Sequence, residues 1–212
     1  MDATPPLTVL VINLDTRPDR WLVIQRMCRQ CGINAERVSA VRRSPGWKGC
    51  ALSHQKCARI AKERRLPWVL VLEDDCTFSV DEWQRFQQLI PYLWQHRSSW
   101  EMFNGGITSI KNIDLMEPSI PLLRANGFAT HFILYNFRAL DTILRWTEAN
   151  EQIDVYFDSN FKYVTTFPII ARQLPSHSDI ENGNTDYSGL FDKTETEMKG
   201  FLRNYLLQQN QK

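Results

Sequence analysis

Val69-Leu70-Val71-Leu72-Glu73-Asp74-Asp75 is an apolar run that ends abruptly in three adjacent acids. Its brevity and its valines read as a buried strand of an α/β sheet. Three carboxylates at the C-terminal end of such a strand repel one another and lose solvation. A bound cation relieves both problems. Open α/β sheets also bind ligands at their strand C-termini. Hard divalent ions with oxygen ligands, Mg²⁺ or Mn²⁺, suit such a cluster and bridge it to a diphosphate. The alternative is a solvated turn that merely ends a strand. Taken alone, the acids do not decide between the two.

The rest of the chain narrows the choice. It has 212 residues, 43% of them hydrophobic, which suits one domain with a sizeable core. A net charge of +1 gives no global electrostatic case for nucleic acid or an anionic membrane. The basic clusters Arg42-Arg43 and Lys62-Glu63-Arg64-Arg65 are local. No apolar run reaches the length of a transmembrane helix, which leaves peripheral membrane association open. Residues 1–6 lack the basic and apolar regions of a signal peptide and read as a short leader. Five cysteines, an odd number, argue for a reducing, cytoplasmic compartment over a disulfide framework. Cys28-x-x-Cys31 has the spacing of a zinc half-site, but no second pair with suitable spacing exists. Both fall on a helical stripe with Trp21 and Ile24, so core packing is expected.

Working outward from the acids, Leu7 to Ile12 is a first buried strand, followed by a polar loop. Pro18 with Asp19 starts a helix that Gly32 ends. A short strand is expected over 34–40, and Gly46-Trp47-Lys48-Gly49 reads as a flexible turn into a helix from Cys50 to Arg65. A helix over 81–95 presents Trp83, Phe86, Ile90 and Leu93 on one face. Residues 104–121 have weak periodicity, two glycines and two prolines, which predicts an irregular loop. Phe128 to Tyr135 reads as a strand, 137–144 and 153–161 as short helices, and 163–171 as one or two strands. Residues 174–193 are polar, and a C-terminal amphipathic helix covers about 194–209. Strands alternating with helices in the first half argue for a parallel sheet; the second half is more mixed.

Four segments together resemble glycosyltransferase family 25, which contains bacterial lipooligosaccharide galactosyltransferases and collagen galactosyltransferases. They are Val11-Ile12-Asn13-Leu14-Asp15-Thr16-Arg17-Pro18-Asp19-Arg20-Trp21, Gly46-Trp47-Lys48-Gly49-Cys50-Ala51-Leu52-Ser53-His54, Leu72-Glu73-Asp74-Asp75, and a looser stretch from Asp154 through Pro168 and Gln173 to Ser178-Asp179-Ile180-Glu181. They occur in family order and cover most of the chain. Cys76 departs from the aliphatic residue usual there. The resemblance implies a GT-A-like nucleotide-sugar-binding fold, with a central mostly parallel sheet flanked by helices. It implies a single glycosyltransferase domain over 1–212, with a donor-binding half at about 7–104 and an acceptor half at about 105–193. It further implies a Mn²⁺- or Mg²⁺-dependent, inverting transfer of galactose or glucose from a UDP-sugar. The acceptor would be a hydroxyl of a glycan, a lipid-linked saccharide or a protein.

Residue roles follow from that resemblance. Asp75 is the expected direct metal contact. Glu73, on the same side of an extended chain, would hold the ribose or a metal-bound water, and Asp74 would orient a loop or act structurally. Asn13, Leu14 and Arg17, just past the first strand, would contact the donor, as would Arg20 in the following helix, which could equally form a structural salt bridge; guanidinium groups suit phosphate. Ser53 and His54 lie near the expected start of a helix, which favours an anion there; His54 would donate to phosphate or simply tie loop to helix. His177 or Asp179 would supply a late metal ligand. Asp154 is the candidate catalytic base, with Glu181 and Asp158 as rivals; Asp154 could equally cap a helix. Three other classes compete. A nucleotidyltransferase would show a Gly-rich loop after the first strand, absent here. A catalytically weak binding module is disfavoured by the intact acids, and a phosphohydrolase leaves the other motifs unused.

Overall fold

The computed structural model of the chain describes residues 3–117, 119–161, 163–178, 180 and 183–209. Strand β1 (Thr8–Asn13) leads into α1 (Pro18–Gln30), which has proline in its first turn and is followed by Gly32 at φ +69°. Then come β2 (Ala35–Ser39), α2 (Gly46–Glu63) and the acid-tipped β3 (Trp68–Glu73). A short β4 (Cys76–Thr77) precedes α3 (Val80–Gln95). Ser79 and Glu82 close a reciprocal capping box at the start of α3. The second half contains β5 (Met102–Asn104), β6 (Thr108–Glu117), β7 (Leu122–Phe128) and β8 (Phe132–Asn136), then α4 (Leu140–Leu144) and α5 (Ile153–Asn160). The chain continues through β9 (Tyr163–Thr166), β10 (Arg172–Gln173), β11 (Ser176–Ser178) and β12 (Gly183–Thr185) to α6 (Ser188–Gln209).

Eight strands form one sheet in the order β2-β1-β3-β8-β5-β9-β7-β6. β8 and β7 run against the other six, so the sheet is mostly parallel in direction but mixed in its pairings. The continuous apolar runs follow from this placement, because helices cover both faces. Leu10, Ile12, Val69 and Val71 face a core with α2, α4, α5 and α6. Val9, Val11, Leu70 and Leu72 face the opposite core with α1 and α3. Cys28 and Cys31 pack into that second core, as their stripe predicted.

Several expectations are corrected. Residues 46–49 are the first turn of α2, not a turn before it. Gly49 is required by close approach: a Cβ there would press into the Val41 carbonyl oxygen. Ser53 and His54 therefore sit two turns into the helix, away from its N-terminal dipole. Residues 108–117 and 122–128 form a hairpin, not a loop. Register shifts, with positive φ at Ser109 and Asn112, break the two-residue alternation that would have betrayed it. The strand expected from Phe128 starts at Phe132, and α6 starts at Ser188, six residues before the expected 194.

Gly49→Ala should therefore destabilise the protein by about 1–3 kcal/mol, the usual cost of overpacking. The Val41 contact is backbone and cannot swing aside. Denaturant unfolding of the variant beside wild type measures the loss; an unchanged midpoint would mean that the loop over 40–45 gives way freely.

Candidate active site

β1 and β3 are parallel neighbours, with Ile12 in register with Glu73. Asn13 and the three acids consequently emerge at one sheet edge, and each acid meets a different set of partners. Glu73 accepts a hydrogen bond from Thr130 Oγ1 at 2.6 Å and faces His54 Nε2 at 3.1 Å. His54 is fully buried, and its other ring nitrogen meets the Tyr135 hydroxyl. Burial alone would raise the Glu73 pKa. The His54 and Thr130 contacts outweigh it and hold the carboxyl below the ordinary glutamate range.

Asp74 points the other way. It accepts from Asn13 Nδ2 at 2.7 Å and from Arg20 at 2.8 Å. Asn13 is itself buried and fully used: its carbonyl accepts from Arg37 at 2.7 Å, and its amide also donates to the Arg17 carbonyl. It works as a bracket between β1, β2 and the acid turn. Burial still leaves the Asp74 pKa raised.

Asp75 is the least compensated of the three. Arg20 stands 3.7 Å away and Gln173 Nε2 3.4 Å. Its Oδ1 is buried with no hydrogen-bond partner among the described residues. Burial first, and then the neighbouring Glu73, push its pKa up to about 7, against the pull of Arg20. The backbone holds it in place: Leu174 N–H donates to the Asp75 carbonyl, and β10 pairs with β4. An orphaned, buried carboxylate oxygen beside a second carboxylate is a donor set that suits a hard divalent cation.

Two cavities flank these acids. One, of about 460 Å³, is walled by Asn13, Leu14, Arg20, Arg42, Arg43 and Ser53 together with all three acids. The other, of about 280 Å³, is walled by Trp47, Phe128, Asp154, Tyr187 and Thr185. Cys50, Glu73, Asp75 and Ile180 line both. Asp154 opens α5, and its Oδ1 accepts the Val155 N–H at 2.9 Å; burial raises its pKa. It thus faces a cavity and makes a local helix-start contact at once.

The remaining predicted residues are placed as follows. Arg17 pairs with Asp19 at 3.0 Å and lines neither cavity. Ser53 Oγ donates to the Gly49 carbonyl and accepts the Val41 N–H, tying the loop over 40–45 to α2. His54 lies behind Glu73 and lines neither cavity. Asp158 pairs with Lys111 at 3.0 Å and lines neither. His177 lies on β11, whose side chains are outside the described residues, as are Asp179 and Glu181. Sequence reasoning missed Thr130, Tyr135, Trp47 and Tyr187. Thr130 reaches Glu73 from the segment before β8, and Tyr135 reaches His54 from β8 itself; the β3–β8 pairing brings both there, which no local pattern encodes. Trp47 was legible as part of the quoted motif but was assigned to a turn.

Residues 42–122 match the model of glycosyltransferase family 25, described as an LPS biosynthesis protein. That is the family the sequence resembled, and the stretch includes the start of α2 and all three acids. The match supports a glycosyltransferase and, at that level, a transferase that uses a nucleotide sugar. No curated protein matches the chain. Among solved structures, A197 from STIV aligns at TM-score 0.48 with 14% identity, over 85% of this chain and 93% of that one. A glycosyltransferase involved in glycosylation of the major capsid of PBCV-1 aligns at 0.40 with 14% identity, over 77% and 82%. Mannose-1-phosphate geranyltransferase from Thermus thermophilus aligns at 0.42 with 10% identity, over 76% and 73%. Likenesses at these scores are no guide to chemistry.

The geometry predicts a pH signature for Asp75. Its folded pKa of about 7 lies above the ordinary aspartate value of 3.8. Between those values the folded state holds a proton that the unfolded state has released. That contribution therefore favours folding at low pH and is lost as pH rises toward 7. Metal-free Asp75→Asn should lack this part of the slope and should be more stable than wild type at pH 8. Denaturant unfolding at pH 5 and pH 8 checks this; parallel losses in both proteins would show an Asp75 carboxyl that titrates normally.

Proposed function

We propose that the chain transfers a hexose, galactose or glucose, from a UDP-sugar to an acceptor hydroxyl with inversion, using Mn²⁺ or Mg²⁺. The observation that carries this reading is the shared wall: two cavities meet at Glu73 and Asp75. A donor and an acceptor approaching from opposite sides would come together at the acids. The larger cavity is the proposed donor chamber. Its Arg20, Arg42 and Arg43 suit phosphate oxygens, and Asn13 and Leu14 supply its floor. Asp75 would hold the ion, with His177 or Asp179 as the proposed late ligand. Bound there, the ion would neutralise charge developing on the departing diphosphate.

The smaller cavity is the proposed acceptor chamber. Trp47, Phe128 and Tyr187 line it beside polar Thr185 and Asp154, a mixture suited to a sugar ring. A glycan or lipid-linked saccharide fits this lining, and a glycosylated or hydroxylated protein side chain is the other acceptor in play. Asp154 is the proposed base. Its raised pKa moves it toward the pH at which a carboxylate both stays ionised and accepts a proton well. It would take the acceptor proton as the hydroxyl oxygen attacks the anomeric carbon.

A panel of nucleotide sugars incubated with Mn²⁺ tests the reading without an acceptor, because transferases slowly hydrolyse their donors. A single UDP-hexose hydrolysed only with the metal is the expected result; hydrolysis of none would favour a non-catalytic binding module. With an acceptor in hand, Asp154→Asn should cut transfer by ~10²–10⁴-fold while UDP binding stays near wild type. The product should carry a β-linkage, since the donor is α-linked and a single displacement inverts. A retained α-linkage would sink the base assignment. Trp47→Ala should raise the acceptor KM while leaving donor hydrolysis in place; equal loss of both would move Trp47 to the donor side.

A further inference from the structure

We infer that Cys50, His54 and Glu73 form a binding site for a borderline-soft divalent cation of the zinc class, adjoining the hard-ion site at Asp75. One ligand atom from each, a thiol sulfur, a ring nitrogen and a carboxylate oxygen, lies within 4.8 Å of the others. Cys50 and His54 are four residues apart on α2 and so project from one face. Glu73 closes the triangle from the end of β3. Zinc holds such ligands at about 2.0–2.3 Å in a tetrahedron, which sets their atoms roughly 3.3–3.7 Å apart. His54 Nε2 and Glu73 Oε1 already stand at 3.1 Å, so small side-chain shifts complete the set.

Three further features belong to a built metal site. Tyr135, fully buried, meets the other ring nitrogen of His54 and fixes the imidazole plane, as outer partners of metal-bound histidines do. Cys50 and Glu73 both line the cleft, so an ion can reach the set from solvent. The thiol and imidazole separate this donor set from the carboxylate oxygens that Asp75 offers, and soft ligands select a different ion.

Binding balances as follows. The Cys50 S–H bond breaks, its proton passes to solvent, and sulfur bonds the ion. His54 changes tautomer: Nε2 gives the proton that faces Glu73 to solvent and bonds the ion, while Nδ1 takes a proton from solvent and donates it to the Tyr135 oxygen. Glu73 exchanges its histidine hydrogen bond for the ion. Occupancy thereby removes Glu73 from the shared wall and opposes transfer. That consequence rests on the proposed transferase reading, whereas the binding claim does not.

Cobalt(II) shares zinc's ligand preferences and reports thiolate ligation by a near-ultraviolet charge-transfer band. The full, metal-free chain titrated with Co²⁺ should develop that band to one equivalent and lose it when Zn²⁺ is added. Cys50→Ser should abolish the band, and Cys31→Ser should keep it. Tyr135→Phe, nearly isosteric, should weaken Zn²⁺ binding by ~10–100-fold, with far-ultraviolet circular dichroism confirming its fold. The inference is overturned by a wild-type titration without a thiolate band, by a band that survives Cys50→Ser, or by unchanged Zn²⁺ affinity in Tyr135→Phe. Donor hydrolysis is scored separately, so a failed transferase reading and a failed zinc site give different patterns.

Discussion

Crowding three carboxylates at the buried end of one strand is a cost that the surrounding structure must offset. Desolvation and mutual repulsion both oppose their ionisation. Asp74 is answered by Asn13 and Arg20, from β1 and α1. Glu73 is answered by His54 and Thr130, from α2 and the segment before β8. Asp75 is left with an orphaned oxygen and a pKa near 7. Glu73 is thus held ionised by the fold, Asp74 is hydrogen-bonded but still pushed up by burial, and Asp75 keeps an oxygen for which the described residues supply no partner. A structural role alone would favour compensating all three, or replacing them with apolar residues.

The sheet order explains why this unevenness falls at a cleft. β3 is flanked by β1 on one side and by β8, an antiparallel neighbour, on the other. The β1 side brings the Arg20 helix and the loop over 40–45, hence a chamber in which arginines face the acids. The other side brings Thr130, and α5 adds Asp154, hence an amphipathic chamber. The small β4–β10 pairing clamps Asp75 from beyond the turn. Arg172 in turn ties that clamp to α6 through Asp192 and Glu195. A late segment of the chain therefore sets the position of an early acid.

What was legible in the sequence had local periodicity or a fixed motif. β1, β3 and α1 follow from continuous apolar runs and from Pro18 and Gly32. The shared side of Glu73 and Asp75 follows from the two-residue repeat of an extended chain. The β6–β7 hairpin was hidden because bulges at Ser109 and Asn112 break that repeat. The start of α2 was hidden because glycines at 46 and 49 mimic a turn, although Gly49 serves close packing. Thr130 and Tyr135 were beyond local reading altogether. A threonine and a tyrosine in the second half become partners of Glu73 and His54 only once β8 lies against β3.

The central claim is that Asp75 is a carboxylate left for a divalent ion that joins the chain to a nucleoside diphosphate. Calorimetric titration of UDP into the full chain, with and without Mn²⁺, tests it most directly when wild type is run beside Asp75→Asn. The account predicts UDP binding that is strongly enhanced by Mn²⁺ in wild type and largely indifferent to it in the variant. Equal Mn²⁺ dependence in both proteins, or UDP binding that ignores Mn²⁺ in wild type, would contradict it.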